Sequence, residues 1–174
     1  VPVVLSPTAL AACQTSGQLV VSHVPDRLTA TRSDGVSVTL RHAQLTHAAT
    51  IITIGSGIEG VGRQGVLIGL MAALTESTLR MLANAAHPAS LKMPNDGVGS
   101  DHDSLGLFQM RPSSGWGTVA ELMDSTFQVR AFFGGPKGPT YPSPAGLLDI
   151  AGWQTADPGS AAQAVERSAY PDRY

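Results

Sequence analysis

Glu76 is the residue of this 174-residue sequence whose type and setting best suit proton transfer. It closes the apolar run Leu70-Met-Ala-Ala-Leu-Thr75, and no other charge lies between Arg63 and Arg80. A glutamate there is expected to be partly desolvated and near a helix C-terminus, and both conditions disfavour the anion. A carboxyl that keeps its proton near neutral pH is a candidate general acid. The same position also suits a glutamate on the wet stripe of its helix, or one paired with Arg80 at i+4.

Other residue types that could carry chemistry are less well arranged. Asp101-His102-Asp103 offers three possible ligands, but adjacent side chains rarely converge on one ion. The remaining histidines, His23, His42, His47 and His87, lack zinc-site spacing. Read as a calcium loop, the segment has Leu105 at its fifth position and Pro112 at its twelfth, where oxygen ligands are required. No metal and no cofactor are expected. There is no G-x-S-x-G, and Cys13 has no basic neighbour to activate it, so a nucleophilic hydrolase is poorly supported. Gly55, Gly57 and Gly60 spell G-x-G-x-x-G after Thr50-Ile-Ile-Thr-Ile54, a spacing used to cradle a dinucleotide pyrophosphate. The preceding run scores at least as well as a helix, and no parallel strands follow, so a helix-to-helix loop is the expected reading.

The elements that must position Glu76 are mostly helical. Leu45, Ala48, Ala49 and Ile52 fall on one helix face, and Val66 to Leu74 is apolar all round, as in a helix buried mid-domain. Residues 84–103 read as loop, 118–133 as one helix, and 134–144 as a Gly/Pro-rich excursion. A last helix is expected from Pro158 to about Ala169, opened by Pro158 and Ser160. Ahead of these, Leu28–Arg32 and Val36–Leu40 flank Ser33-Asp34-Gly35, a hairpin signal. The expected organisation is an N-terminal lead-in and β segment over 1–41, followed by the main domain over 42–174. No strand is expected beyond Leu40.

Composition narrows the class. Hydrophobic residues are 43% and charged ones 14%, which is ample for a packed core. The net charge of -2 gives no basic excess to neutralise a phosphate backbone, so nucleic acid is not an expected partner. A single cysteine excludes an internal disulfide. No apolar stretch has the length of a membrane span. The opening at Val1 suggests a processed product or part of a larger polypeptide. Leu10-Ala-Ala-Cys13 has the small residues of a lipoprotein cleavage site without its basic leader, so Cys13 reads as a small buried hydrophobe. Trp116 and Trp153 could stack on sugar rings, but core positions are the plainer reading.

Glu76-Ser77, then Ser100-Asp-His-Asp-Ser-Leu-Gly-Leu-Phe-Gln109, then Pro112-Ser113 resembles the lysozyme-like lytic transglycosylases. Their pattern is Glu-Ser on a buried helix, a variable loop, S-x-x-G-A-x-G-L-[MLF]-Q, and a Pro-Ser or Pro-Thr helix start. Ser100 and Gln109 fall at that pattern's Ser and Gln, while Asp103 and Ser104 stand where it usually has Gly and Ala. Residues 101–113 are also similar to an actinobacterial and actinophage branch reading G-D-R-D-S-L-G-L-F-Q-x-R-P-S. Gly115-Trp-Gly117, Gly146–Ile150 and Ala162–Ser168 extend the resemblance to about residues 44–174.

The resemblance implies a mainly α, α+β lysozyme-like domain that cuts the β-1,4 bond between N-acetylmuramic acid and N-acetylglucosamine in peptidoglycan. Glu76 would protonate the glycosidic oxygen and then take a proton from the muramyl C6 hydroxyl, leaving a 1,6-anhydro product. Ser100 and Gln109 would orient the sugar, with Ser77, Ser104 and the backbone at Gly106 also at the substrate. Tyr170 lies roughly where the family places a tyrosine that steadies the glutamate, although the surrounding Ala-Tyr-Asn pattern is not kept. Goose-type lysozymes carry an aspartate in a setting like that of Asp101, and an inverting hydrolase needs such a second carboxylate. Hydrolysis through Asp101 or Asp103 is therefore open, as is capping of a helix starting near Ser104. A catalytically silent wall-binding or virion structural domain is the alternative of another class. The expected setting is extracellular, at the cell wall, or in a phage virion or lysis apparatus.

Overall fold

The computed structural model describes residues 17–31 and 34–167. Cys13 and Tyr170 lie outside the described residues. The chain is mixed α+β and mainly helical, with a small antiparallel hairpin near its N-terminus. No described helix is long and apolar enough to cross a membrane.

The hairpin pairs β1 (Arg27–Thr31) with β2 (Ser37–Arg41), Arg27 opposite Arg41 and Thr31 opposite Ser37. Asp34 Oδ1 accepts from Val36 N at 3.0 Å, which holds the Asp-Gly turn. The hydroxyls of the facing Thr29 and Thr39 bond across the strands at 2.8 Å. Most hairpin residues are exposed, so this ribbon borders the core without supplying it.

Helix α1 (His42–Gly57) begins directly after β2 and runs into the glycine motif, taking in Gly55 and Gly57, while Gly60 lies in the turn that follows with φ +90°. Thr50-Ile-Ile-Thr-Ile54 is helical despite its β-branched content. Thr46 and Thr50 donate to the carbonyls of His42 and Thr46 one turn back, which satisfies their hydroxyls inside a helix. Gly55 is thus a buried helical residue, and no strand stands before it to form a dinucleotide site. A Cβ at Gly55 would meet the Phe133 ring at 2.6 Å, and one at Gly69 of the next helix would meet it at 2.9 Å. The two glycines let that ring sit between the helices. We expect Gly55→Val to cost about 2–3 kcal/mol by overpacking, read as a lower midpoint in thermal unfolding; an unchanged midpoint would contradict this packing.

Helix α2 (Gly62–Ser77) is less enclosed than its all-round apolar sequence suggests. Ile68, Ala72 and Ala73 are buried, but Leu67 is 54% exposed. Thr78 and Leu79 end it with positive φ, Leu79 N donating to Ala73 O at 3.0 Å in the 6→1 bond of a helix terminus that usually uses glycine.

No strand is expected beyond Leu40, yet two short ones form, the second inside the expected loop 84–103. β3 (Leu82–Asn84) pairs in parallel with β4 (Gly97–Gly99). Asp96 anchors the pair: its Oδ2 accepts from Met81 N at 2.8 Å and pairs with His47 of α1 at 2.7 Å. The single helix expected over 118–133 is two, α3 (Val119–Leu122) and α4 (Ser125–Phe133). Asp124 breaks it by capping α4, accepting from Thr126 N and Phe127 N. Helix α5 (Pro158–Glu166) packs across α2 and ends earlier than expected, with Arg167 in the left-handed region. The core forms where α1, α2, α4 and α5 meet, with Phe108 stacked on Phe132 at 4.5 Å. Trp116 and Trp153 are both part of it.

Candidate active site at the end of helix α2

Glu76 is the penultimate residue of α2 and is half-buried. The next residue, Ser77, is 3% exposed and ties this helix end to the following loop. Its Oγ donates to Leu107 O at 2.8 Å and accepts from Arg80 N at 3.0 Å. Arg80 lies past the helix end, where its Nε donates to Ser77 O at 3.2 Å. The Glu-Ser pair and the Gly106–Gln109 segment, some thirty residues apart in sequence, are therefore joined in space.

That segment is not a helix. Residues 104–110 form a tight loop closed by reciprocal bonds between Leu105 and Met110, at 2.9 and 3.1 Å. No helix starts near Ser104 for the aspartates to cap, since Ser104 opens this loop. Gly106 N donates to Leu82 O of β3 at 2.8 Å. Gly106 has φ +75°, and a Cβ there would fall 1.9 Å from Gln128 Nε2 and 2.7 Å from Leu122 O, so no side chain fits. Gln109 adopts φ +49° and its Nε2 donates to Gly106 O at 2.9 Å. Its carboxamide oxygen lies beside Gly99 of β4.

Two buried amides, neither singled out by the sequence, hold the loop. Gln128 of α4 is fully buried: its Nε2 donates to Leu105 O and Leu122 O at 2.7 and 2.6 Å, and its Oε1 accepts from Phe108 N at 2.9 Å. Asn84 of β3 donates through Nδ2 to the carbonyls of His102 and Ser104, both at 3.1 Å. A lone amide within the apolar run Phe127-Gln-Val-Arg-Ala-Phe-Phe133 is the sequence signal that marks Gln128, because such a residue must find partners inside.

The other expected site residues separate into exposed and enclosed groups. Ser100 is exposed just after β4. Ser104 is 1% exposed, with its carbonyl on Asn84. Asp101 is exposed and pairs with His102 at 2.8 Å. Asp103 instead binds inward: Arg111 Nε donates to its Oδ1, Ser113 N donates to Oδ2 at 3.1 Å, and His87 Nε2 lies 3.9 Å away. Burial alone would raise its pKa, but the bonds from Ser113 and Arg111 and the guanidinium charge outweigh it. They hold the carboxyl well below the usual carboxylate range. Both oxygens are thereby committed to the loop.

A depressed folded pKa adds stability that is present above the unfolded value, near ~4, and lost as pH falls through the folded one. We expect Asp103→Asn to lower stability at pH 6 by about 1–2 kcal/mol, a range reduced because Arg111 is well exposed. In melts from pH 6 to pH 2.5 the difference from wild type should shrink on the acid side. A constant difference would contradict an ionised Asp103–Arg111 pair.

All five non-glycine residues with left-handed φ among those described flank these elements. Thr78 and Leu79 follow Glu76, His102 and Gln109 lie in the loop, and Arg167 follows α5. Backbone strain gathers where surrounding structure fixes a functional geometry. A hollow of about 660 Å³ lies elsewhere, around Glu59, Arg130 and Lys137. It sits by the start of α2, about 20 Å from Glu76 at 1.5 Å per helical residue. Among the described residues no group of three His, Cys, Asp or Glu could hold a metal ion. The chain matches no protein-family model and no curated protein.

Proposed function

We propose that this chain is a peptidoglycan-cleaving muramidase of the lysozyme-like lytic transglycosylase kind, with Glu76 as its acid and base. The observation that carries the reading is the Ser77–Leu107 hydrogen bond, which joins the helix end bearing Glu76 to the loop bearing Gln109. The resemblance rests on the same two segments, and the contact supports their acting as one site. In the reaction, the bond from muramyl C1 to the bridging oxygen breaks as Glu76 gives that oxygen its proton. The C6 oxygen then bonds to C1, and its proton returns to Glu76, so no water is consumed. In this reading Ser100 and Gln109 orient the glycan, and the bare backbone at Gly106 allows close packing of the loop. The enclosed Ser77 and Ser104 act by holding the loop.

Hydrolysis through a second carboxylate is the other outcome of the same site. The inward bonds of Asp103 argue against it as the base for water, which leaves the exposed Asp101 as the candidate. The enzyme would act on glycan strands at the cell wall, secreted or as part of a phage virion or lysis apparatus. Release of soluble fragments from dye-labelled purified peptidoglycan tests the reading. Release above a heat-inactivated control is expected, and none from the folded protein would remove it in favour of a silent wall-binding or structural domain.

A further inference from the structure

Away from Glu76, the hollow of about 660 Å³ is bordered by charged side chains from three different elements. Glu59 lies in the turn after α1, Arg130 in the last turn of α4, and Lys137 in the Gly/Pro-rich excursion that follows. All three are exposed, and none forms an ion pair with another described residue. Two cations set around one concavity focus their field into it and favour an incoming anion. The walls between these charges are fixed. Helix α1 packs against α4. Gly138 N donates to Gly135 O at 2.8 Å, closing the turn that presents Lys137. Asp149 accepts from Gly135 N and Gly146 N at 3.0 and 2.9 Å, which pins the excursion to the turn bearing Leu148. Gly135 gives Leu148 its place, since a Cβ there would lie 3.1 Å from Leu148 Cδ1. Ile58 and Leu148 add apolar lining between the charges.

We propose that this hollow is a second binding site, for the stem peptides of peptidoglycan. The identity of the ligand rests on the muramidase reading, whereas the charge pattern of the site does not. A lysine-type stem peptide, joined to muramic acid through its N-terminus, carries two carboxylates, one ammonium and the methyl groups of its alanines. Arg130 and Lys137 match the carboxylates, Glu59 the ammonium, and Ile58 and Leu148 the methyls. The guanidinium of Arg130 can take a carboxylate through two parallel bonds. The volume falls within the roughly 300–1,000 Å³ of small-ligand sites. The lead-in of this chain does not answer the same pattern, because residues 1–16 hold no Asp, Glu, Lys or Arg. The hollow lies about 20 Å from Glu76, so it anchors the wall without touching the bond being cut.

The probe is the synthetic peptide N-acetyl-L-Ala-γ-D-Glu-L-Lys-D-Ala-D-Ala, titrated into the 15N-labelled chain and followed by NMR. Saturable shifts should centre on the amides of Glu59, Gly135, Lys137 and Gly138. Amidating both carboxylates of the probe should abolish them, and added salt should weaken binding. The double variant Arg130→Gln, Lys137→Gln should raise Kd about tenfold or more, and Glu59→Gln about threefold. These side chains are exposed, so the thermal melt should not move. Wild-type shifts absent from the hollow, or a double variant that binds as tightly as the wild type, overturn the proposal. Equal affinity for the amidated probe also overturns it, which keeps the test decisive if a variant fails to fold. Peptide binding at the hollow without any wall cleavage upholds the site and removes the muramidase reading. Wall cleavage without peptide binding does the reverse.

Discussion

Glu76→Gln is expected to lower the rate of peptidoglycan cleavage by about 10²- to 10⁴-fold, the range supplied by a positioned general acid. The amide has the size of the acid it replaces and can still accept or donate a hydrogen bond, but it cannot release a proton to a leaving oxygen. Glu76 is half-buried at the end of α2, and the adjacent Ser77 makes the bond to Leu107 that fixes the helix terminus. That bond does not pass through Glu76, so the fold should survive the change. The measurement pairs initial rates on purified peptidoglycan with a thermal melt and a sedimentation assay of wall binding. An unchanged melt and retained binding with lost cleavage is the expected combination. A variant that cleaves at the wild-type rate would remove Glu76 from the chemistry.

Gln128→Leu should be the most damaging single change for stability among those considered. Leucine fills nearly the same volume but leaves Phe108 N and Leu122 O without their side-chain partner in a fully buried site, and Leu105 O with its bond from Met110 N alone. An abandoned buried polar group costs about 1–3 kcal/mol, so the two together should cost about 2–6 kcal/mol. For a chain of this length that lowers the midpoint of thermal unfolding by on the order of 10 °C or more. Cleavage should fall further than the unfolded fraction alone explains, because Gln128 bonds the loop that carries Gly106 and Gln109. Equal melts for variant and wild type would show that these bonds are replaced by water and that the loop is held by other contacts.

The sequence was legible wherever a local rule decided the outcome. Asp34-Gly35 marked the hairpin because few turns suit a two-stranded ribbon. The apolar run before Glu76 marked α2, and Pro158 marked the start of α5. Failures came where distant partners decided. Leu82–Asn84 and Gly97–Gly99 are three residues each, one with two glycines, and carry no strand propensity of their own. They pair because Asp96 bonds Met81 N and His47, and because Gly106 N closes on Leu82 O. Residues 104–110 looked able to start a helix, yet Gln128 and Asn84 draw their backbone groups into a loop instead.

The candidate site divides along the same line. Glu76, Ser77 and Gln109 could be picked out because their chemistry and order are visible in sequence. Asp103 looked like a free carboxylate until Arg111 and Ser113 were seen to occupy it. Glu166 gave no signal: a glutamate that closes a helix is ordinarily solvated, whereas its Oε1 is buried where α5 packs on α2.

Mass spectrometry of the muropeptides released from purified peptidoglycan tests the muramidase reading most directly. Fragments ending in 1,6-anhydro-muramic acid are the expected products, formed by the wild type and absent with Glu76→Gln. Fragments with reducing muramic acid ends would keep the glycosidase, assign hydrolysis and make Asp101 the next residue to replace. Fragments cut only in the peptide stems, or none from folded protein on accessible wall, would contradict the assignment of this chain as a muramidase.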